Sequence, residues 1–333
     1  MNDYFAGVDI GGTKISVCLA DRDGIRIKLY SRITLEGKNT AVPEQADRLI
    51  RLACKKTDID IKDIKAVGVS TCSPFKNIDG SKTIVSPNLC GGMIKERGLL
   101  PNDWTFIPLD GYLSEKYKDV RTGNDCVTSV VAEHKFGAGR GYDNLVYVTW
   151  STGIGTGIII DGFLIKGKNG NAAHGGHIYI AEEGPLCGCG NYGDLESLTS
   201  GTNIALAYDN DATTEDVFSA YRDGEEKAVR LIDRAVRNFA RGLASINVLT
   251  DTEIFILGGS VYFNNEELLL PKIKEEFYRS FTVLSEGVEF RTSELFTYLG
   301  DIAALSLVLS EEWHDHWNET KPWKNAPETL TVD

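Results

Sequence analysis

The sequence predicts an α/β protein of about two domains, on three observations. At roughly 150 residues per domain, 333 residues are enough for two hydrophobic cores. Apolar runs of strand length alternate with stretches of helical period in both halves. Two glycine-rich turns, one in each half, each join an apolar strand to a return strand, as in a duplicated β-hairpin unit.

The elements follow in order. Phe5–Asp9 reads as a buried strand, Ile10–Lys14 as a turn and Ile15–Ala20 as a second strand. Pro43–Lys56 has helical spacing, and so does Asp125–Phe136, through Val127, Val130, Val131 and Phe136. Leu145–Trp150 is a strand, Ser151–Gly157 a glycine-rich turn and Ile158–Ile160 its return strand. Glu225–Leu249 is the longest helix, with Ala228, Leu231, Ile232, Ala235, Phe239, Leu243 and Ile246 near i+3 and i+4. A strand at Ile254–Leu257 and helices near Glu266–Phe281 and Asp301–Leu309 complete the pattern. The lobe boundary is expected near Thr122: 1–122 form one lobe, 123–300 the other, and 301–333 cross back to the first. The tail from Glu311, with Trp313, Trp317 and Trp323 among polar residues, fits no regular pattern. It is expected to pack on the body or on a second subunit.

Composition narrows the function. The formal net charge of −13 disfavours general nucleic-acid binding, since the chain repels a phosphate backbone. It leaves room for a small anion held by backbone N–H groups. No run approaches the ~20 apolar residues of a membrane span. The start, MNDYFAGVDIGGTK, lacks the basic and apolar regions of a signal peptide. Seven cysteines, an odd number scattered through apolar runs, indicate reduced thiols and a cytoplasmic location.

Five segments carry candidate chemistry. Asp9-Ile-Gly-Gly-Thr-Lys14 ends a buried strand with a carboxylate. Gly11 and Gly12 let N–H groups face an anion, Thr13 adds a hydroxyl, and Asp9 can hold a metal ion. The bland alternative is a tight hairpin with an exposed acid. Thr152, Gly153 and Gly155 lie in a second hairpin of the same kind, and two such turns suit one polyphosphate. Gly258-Gly259-Ser260 follows a strand and reads as a nucleotide neighbour or a plain helix entry. In Gly123-Asn124-Asp125, Asn124 can bond sugar hydroxyls and Asp125 can take a proton from an attacking hydroxyl, or Asp125 is only a helix N-cap. The most specific feature is His174-Gly-Gly-His177 followed by Cys187-Gly-Cys189 and Asp194-Leu-Glu196. His177, Cys187 and Cys189 are soft zinc ligands, and Asp194 is a fourth donor at short reach.

Together these residues resemble the ROK family of sugar kinases, from Gly7 to about Leu309. Asp9–Lys14 looks like the family's first phosphate motif, Ser86-Pro-Asn88-Leu its sugar-contacting turn, and Asn124-Asp125 its sugar-binding and base pair. Thr152–Gly157 looks like the second phosphate loop and Gly258-Gly259-Ser260 the adenosine segment. The resemblance implies an actin-like (ribonuclease H-like) duplicated ATPase fold, two lobes around a cleft. It implies ATP with Mg²⁺, a structural Zn²⁺, Glu196 and His177 at the sugar, and a homodimer. Two positions depart from the family pattern. His174 replaces an acid that clasps sugar hydroxyls, and Asp194 replaces a third cysteine ligand. An imidazole that can donate suits an acetamido carbonyl, so N-acetylmannosamine is the first expected sugar, ahead of N-acetylglucosamine and glucose. The expected reaction is phosphoryl transfer to the 6-hydroxyl, with Asp125 as the base. The rival class is a non-catalytic, sugar-sensing regulator; intact Asp9, Asp125 and glycine loops, and no room for a helix-turn-helix ahead of Phe5, argue against it.

Overall fold

A computed structural model describes residues 3–93 and 100–333. The chain forms two compact units. The first runs from the N-terminus to Gly137 and adds Lys166–Ala172 and Thr297–Asp333; the second comprises Ala138–Ile165 and Ala173–Phe296.

The first unit contains β1 (Tyr4–Ile10), β2 (Lys14–Asp21), β3 (Gly24–Arg32), β4 (Ile64–Thr71), β5 (Phe75–Ile78), β6 (Ser81–Ile84), β7 (Val120–Asn124) and β13 (Thr329–Thr331). Its main sheet has the order β13-β3-β2-β1-β4-β7, and β5 and β6 form a separate ladder. β1 is almost continuously apolar because helices cover the sheet on both sides: Ala41–Thr57 packs on β2 and β3, and Leu299–Ser306 on β1 and β4. β1, β4 and β7 run parallel, with Asp9 opposite Ser70 and Ser70 opposite Gly123. Their carboxyl ends therefore share one edge, where ligands of open α/β sheets bind.

The second unit repeats the plan. It contains β8 (Leu145–Trp150), β9 (Ile154–Ile160), β10 (Phe163–Leu164), β11 (Ile254–Gly258) and β12 (Glu289–Thr292), ordered β10-β9-β8-β11-β12. β8 pairs antiparallel with β9 and parallel with β11, and β11 pairs parallel with β12. β1 likewise pairs antiparallel with β2 and parallel with β4. The long helix Glu226–Thr250 buries Ile232, Val236, Phe239, Leu243 and Ile246. Trp150 stacks on Phe239 at 4.2 Å between ring centroids. Each unit has its own apolar core.

Two expectations need correction. The division falls after Gly137 rather than near Thr122. β7 completes the first sheet and helix Asp125–Phe136 packs on Leu299–Ser306, so Asn124 and Asp125 belong to the first unit. β9 begins at Ile154, not Ile158, because Gly155 and Gly157 keep the ladder opposite Thr149 and Tyr147. The tail, expected on the body or on a second subunit, packs on the first unit, to which 301–333 return as expected. Helix His314–Thr320 buries Trp317, whose Nε1 donates to the Arg22 carbonyl at 2.9 Å. Trp313 meets Phe5 edge-on at 5.1 Å, and β13 pairs with β3. Trp313 and Trp317 lie four residues apart, one turn of a helix too short to show a period. Lys166–Ala172 joins the same unit through Asn171, which accepts from the Phe75 N–H at 2.7 Å and donates to its carbonyl at 2.8 Å.

Candidate active site

On the first unit, the hairpin β1–β2 presents Asp9 and the turn that follows it. The Gly11 N–H donates to the Lys14 carbonyl at 2.9 Å. A side chain at Gly11 or Gly12 would meet no atom closer than 3.7 Å, and neither residue has positive φ. Nothing in the folded chain demands glycine there, so the open space suits a ligand approaching the backbone. The nearest neighbour of Gly12 is the Asn88 carbonyl. Asn88 itself is exposed at the top of the turn in which the Leu89 and Cys90 N–H groups bond the Ser86 carbonyl. The carboxyl of Asp9 is pushed up to about 6. Burial is the main cause; the Lys14 charge opposes it, while the Asp125 and Asp301 carboxylates add to it. Three acids that repel one another favour a cation among them.

Asp125 opens helix Asp125–Phe136, but it is not the cap. Asn124 is: its Oδ1 accepts from the Cys126 N–H at 3.0 Å, and its Nδ2 donates to Ser73 Oγ at 2.8 Å. The bland reading of Asp125 as an N-cap is thus overturned, and Asn124 has a structural task besides its expected one. The Asp125 Oδ1 accepts from the same Cys126 N–H at 2.9 Å. Asp125 is exposed as a residue, yet protein crowds its carboxyl, and this desolvation raises its pKa against the pull of the Cys126 N–H and Asn124. A base shifted upward in this way is better matched to neutral pH.

On the second unit, hairpin β8–β9 holds Thr152, Gly153 and Gly155. The Thr152 side chain is exposed, and Ser151 Oγ lies 2.9 Å from Ser260 Oγ. Gly259 has φ of +88° and lies against the Trp150 backbone, so this strand-to-helix join accepts only glycine. A cavity of about 530 Å³ beside it is lined by Thr152, Thr213, Thr214, Arg222, Ser260 and Asn264, a size that suits a nucleoside. The sequence reading missed Thr213, Thr214, Arg222 and Asn264, which lie in polar stretches without a motif.

The His174–His177 turn lies flush on β9. A Cβ at Gly176 would come within 2.1 Å of the Ile154 carbonyl. Thr156 Oγ1 donates to the Ala173 carbonyl at 2.6 Å and accepts from the Gly175 N–H at 3.0 Å. Thr156 was legible inside the glycine-rich motif but was not singled out. The two imidazoles are nearly parallel, with centroids 5.9 Å apart. Desolvation and the neighbouring His177 lower the pKa of His174, so its ring is neutral at pH 7. Glu196 joins this turn to the hairpin and the cysteines. Its Oε2 accepts from the Ile154 N–H at 2.9 Å, and its Oε1 from Cys187 Sγ at 3.5 Å.

The donor atoms of His177, Cys187, Cys189 and Asp194 all lie within 4.8 Å of one another. His177 Nδ1 is 3.6 Å from Cys187 Sγ and 3.2 Å from Asp194 Oδ2, and Cys189 Sγ is 3.3 Å from Asp194 Oδ2. A tetrahedral ion with nitrogen, oxygen and sulfur ligands at their usual lengths has edges of about 3.3–3.8 Å. Asp194 divides its two oxygens. Oδ1 accepts from the Ser197 N–H at 2.8 Å and caps helix Leu195–Thr199, while Oδ2 faces the cluster. Burial alone would raise this carboxyl; hydrogen bonds from His177, Cys187 and Ser197 outweigh it and hold the pKa at about 2. The carboxylate is therefore ionised and ready to ligate.

Comparison with known proteins decides the family. The pattern of the ROK family matches residues 5–291. The chain belongs to the ROK family. It is 32% identical over 328 residues to a glucokinase of Thermotoga maritima, covering 91% of this chain and 96% of that one. It is 32% identical over 260 residues to an N-acetylmannosamine kinase of Escherichia coli, covering 76% and 82%. The crystal structure of a ROK hexokinase from Thermus thermophilus has a TM-score of 0.74 and 29% identity, covering 91% of this chain and 97% of that one. The fold of this ROK protein is accordingly the actin-like, ribonuclease H-like ATPase fold. Among its described residues no helix is long and apolar enough to cross a membrane.

Proposed function

We propose that this ROK sugar kinase, a phosphotransferase with an alcohol group as acceptor, moves the γ-phosphoryl group of ATP to the 6-hydroxyl of an N-acetylhexosamine. N-acetylmannosamine is the first choice of sugar, ahead of N-acetylglucosamine and glucose. The observation that carries the kinase reading is Asp125: exposed, first in its helix after the Asn124 cap, raised in pKa, and placed just past the carboxyl end of β7, in the same unit as Asp9. The relatives support the reaction class but divide between glucose and N-acetylmannosamine.

The mechanism follows from the residues. Asn88, Asn124 and Glu196 hold the sugar hydroxyls, and His177 borders them. Neutral His174 donates a ring N–H to the acetamido carbonyl. Asp125 takes the proton of the 6-hydroxyl as its oxygen attacks phosphorus in line, and the ADP oxygen leaves. The transition state is loose, so alignment and charge stabilisation supply most of the rate. N–H groups of Gly11, Gly12, Thr13, Thr152, Gly153 and Gly155 face the phosphates, Lys14 adds a charge, and Gly258-Gly259 flank the adenosine. Asp9 is the residue that would hold Mg²⁺, which would supply charge neutralisation on the phosphates. His177, Cys187, Cys189 and Asp194 would hold Zn²⁺, whose contribution is to fix the fold of the sugar loop. A carboxylate in place of a thiolate weakens such a site without forbidding it. The same reading makes the enzyme a cytoplasmic homodimer.

A panel of hexoses with ATP, the product identified by NMR, tests the proposal. N-acetylmannosamine phosphorylated at C6 with the highest kcat/KM is expected. Glucose preferred by about a hundredfold over both acetamido sugars rejects the sugar assignment. Binding of sugar with no ADP formed from any member of the panel favours the sensor class.

A further inference from the structure

The long helix Glu226–Thr250 buries one side in the core of the second unit and carries arginines on the other. Arg234, Arg237 and Arg241 recur at i, i+3 and i+7 and so share one face. All three are exposed. Among the described residues none of them pairs with a carboxylate, whereas Arg230 on the same helix pairs with Glu226 and Asp233 with Lys272. In a chain with a net charge of −13, carboxylates are in excess, and like charges at these spacings weaken a helix. Three unpaired arginines in a row are therefore an anomaly.

The three line one cavity of about 480 Å³. Asn238, on the same helix, lines it too. It is only 8% exposed, and its side-chain amide has no hydrogen-bond partner among the described residues. Its amide is not a sealed, unsatisfied group; it meets solvent in the cavity and is free to bond an occupant. The opposite wall comprises the loop at Glu183, the one carboxylate in the cavity, and Ser197 of helix Leu195–Thr199. Three guanidinium forks and an amide outnumber that acid. Guanidinium groups bind phosphate oxygens in pairs. Arg234 and Arg241 lie about 10.5 Å apart along the helix axis, too far for one phosphate group to engage both at their backbones but within reach of flexible side chains closing on a longer anion.

We propose that this cavity is a binding site for a small phosphate-bearing metabolite, held by Arg234, Arg237, Arg241 and Asn238. The binding claim goes beyond the kinase reading and does not depend on it. Its regulatory consequence does rest on that reading: the wall helix Leu195–Thr199 bears Glu196, so an occupant that steadies this helix lowers the KM for sugar.

The test uses the full-length protein at fixed ionic strength, with ADP added to saturate the nucleotide site and pyrophosphate as the probe. Calorimetry is expected to show binding in the wild type, a Kd raised about tenfold in Arg237→Gln and in Arg241→Gln, and no binding in Asn238→Asp. Circular dichroism establishes that each variant is folded; if Asn238→Asp is not, the two arginine variants decide. An equal Kd in wild type and arginine variants means an adventitious ion only and overturns the site. A change of oligomeric state in Arg237→Gln, seen by light scattering, also overturns it, because the arginines then serve a second copy of the chain. Binding without any change in sugar KM overturns the regulatory consequence alone. A protein that proves to be no kinase leaves the calorimetric result standing.

Discussion

At the scale of the residue, the outcome turns on which atoms are already committed. Asn124 caps the helix and shares the Cys126 N–H with Asp125 Oδ1; in the proposed reaction Asp125 is the base. Asp125→Asn is expected to lower kcat on the order of 10²–10⁴-fold while the KM for sugar changes little, as steady-state kinetics will show. Because the wild-type carboxyl is raised above the ordinary Asp range and must be ionised to act, kcat falls as pH drops through that raised value; a flat acid limb contradicts its role as base. Asp9 gives a stability prediction of definite sign. Its pKa in the fold, about 6, exceeds the ordinary 3.8, so its contribution to stability is fully present below about 3.8 and lost as pH rises through about 6. Asp9→Asn should therefore raise the Tm of the ligand-free protein by on the order of a few °C at pH 8, with the gain vanishing by pH 4, even as turnover is lost. His174→Glu restores the acid that the family pattern carries, and should shift the kcat/KM ratio towards glucose by about tenfold. An unchanged ratio would remove His174 as the reader of the acetamido group.

At the scale of the element, the sugar loop shows how much of the site was legible. The donor set His177, Cys187, Cys189 and Asp194 could be read from the sequence because soft ligands and short spacing are rare together, and these four converge. Its connection to the hairpin β8–β9 was not legible. Glu196 reaching the Ile154 N–H, and Thr156 pinning the turn at Ala173, depend on two segments meeting face to face, which no local spacing encodes. Asp194 allows its two tasks to be separated. Asp194→Asn keeps an N-cap of similar strength but removes the charge at Oδ2. It should leave the far-ultraviolet circular dichroism unchanged while lowering the zinc content measured by mass spectrometry. Asp194→Cys should do the reverse, holding metal tightly while losing the cap, at a cost of about 1 kcal/mol in the unfolding free energy.

At the scale of the whole molecule, the repeated hairpins announced a duplicated α/β chain, and the two sheets share one pairing plan. Strands and long helices were readable because each buries a periodic face. The boundary was not, because β7 lies in an ambiguous polar run, Val120–Asn124, and belongs to the first sheet only by pairing with β4. The tail was also illegible: its tryptophans are spaced by short helical turns, and their burial depends on Phe5, Arg22 and Phe136, far away in sequence. Trp317→Ala should cost about 3–5 kcal/mol in the chemical unfolding of the protein; a loss below about 1 kcal/mol would mean that the tail is dispensable to the first unit.

The carboxylate of Glu196 has a consequence for descent. Glu196 ties the Ile154 N–H of the glycine hairpin to Cys187 of the loop, so, on the proposed reading, a lineage that drifts towards another hexose by altering this loop has to accept compensating substitutions in the hairpin. Preference for a new sugar should then arise through paired changes, with single substitutions passing through poorly active ancestors.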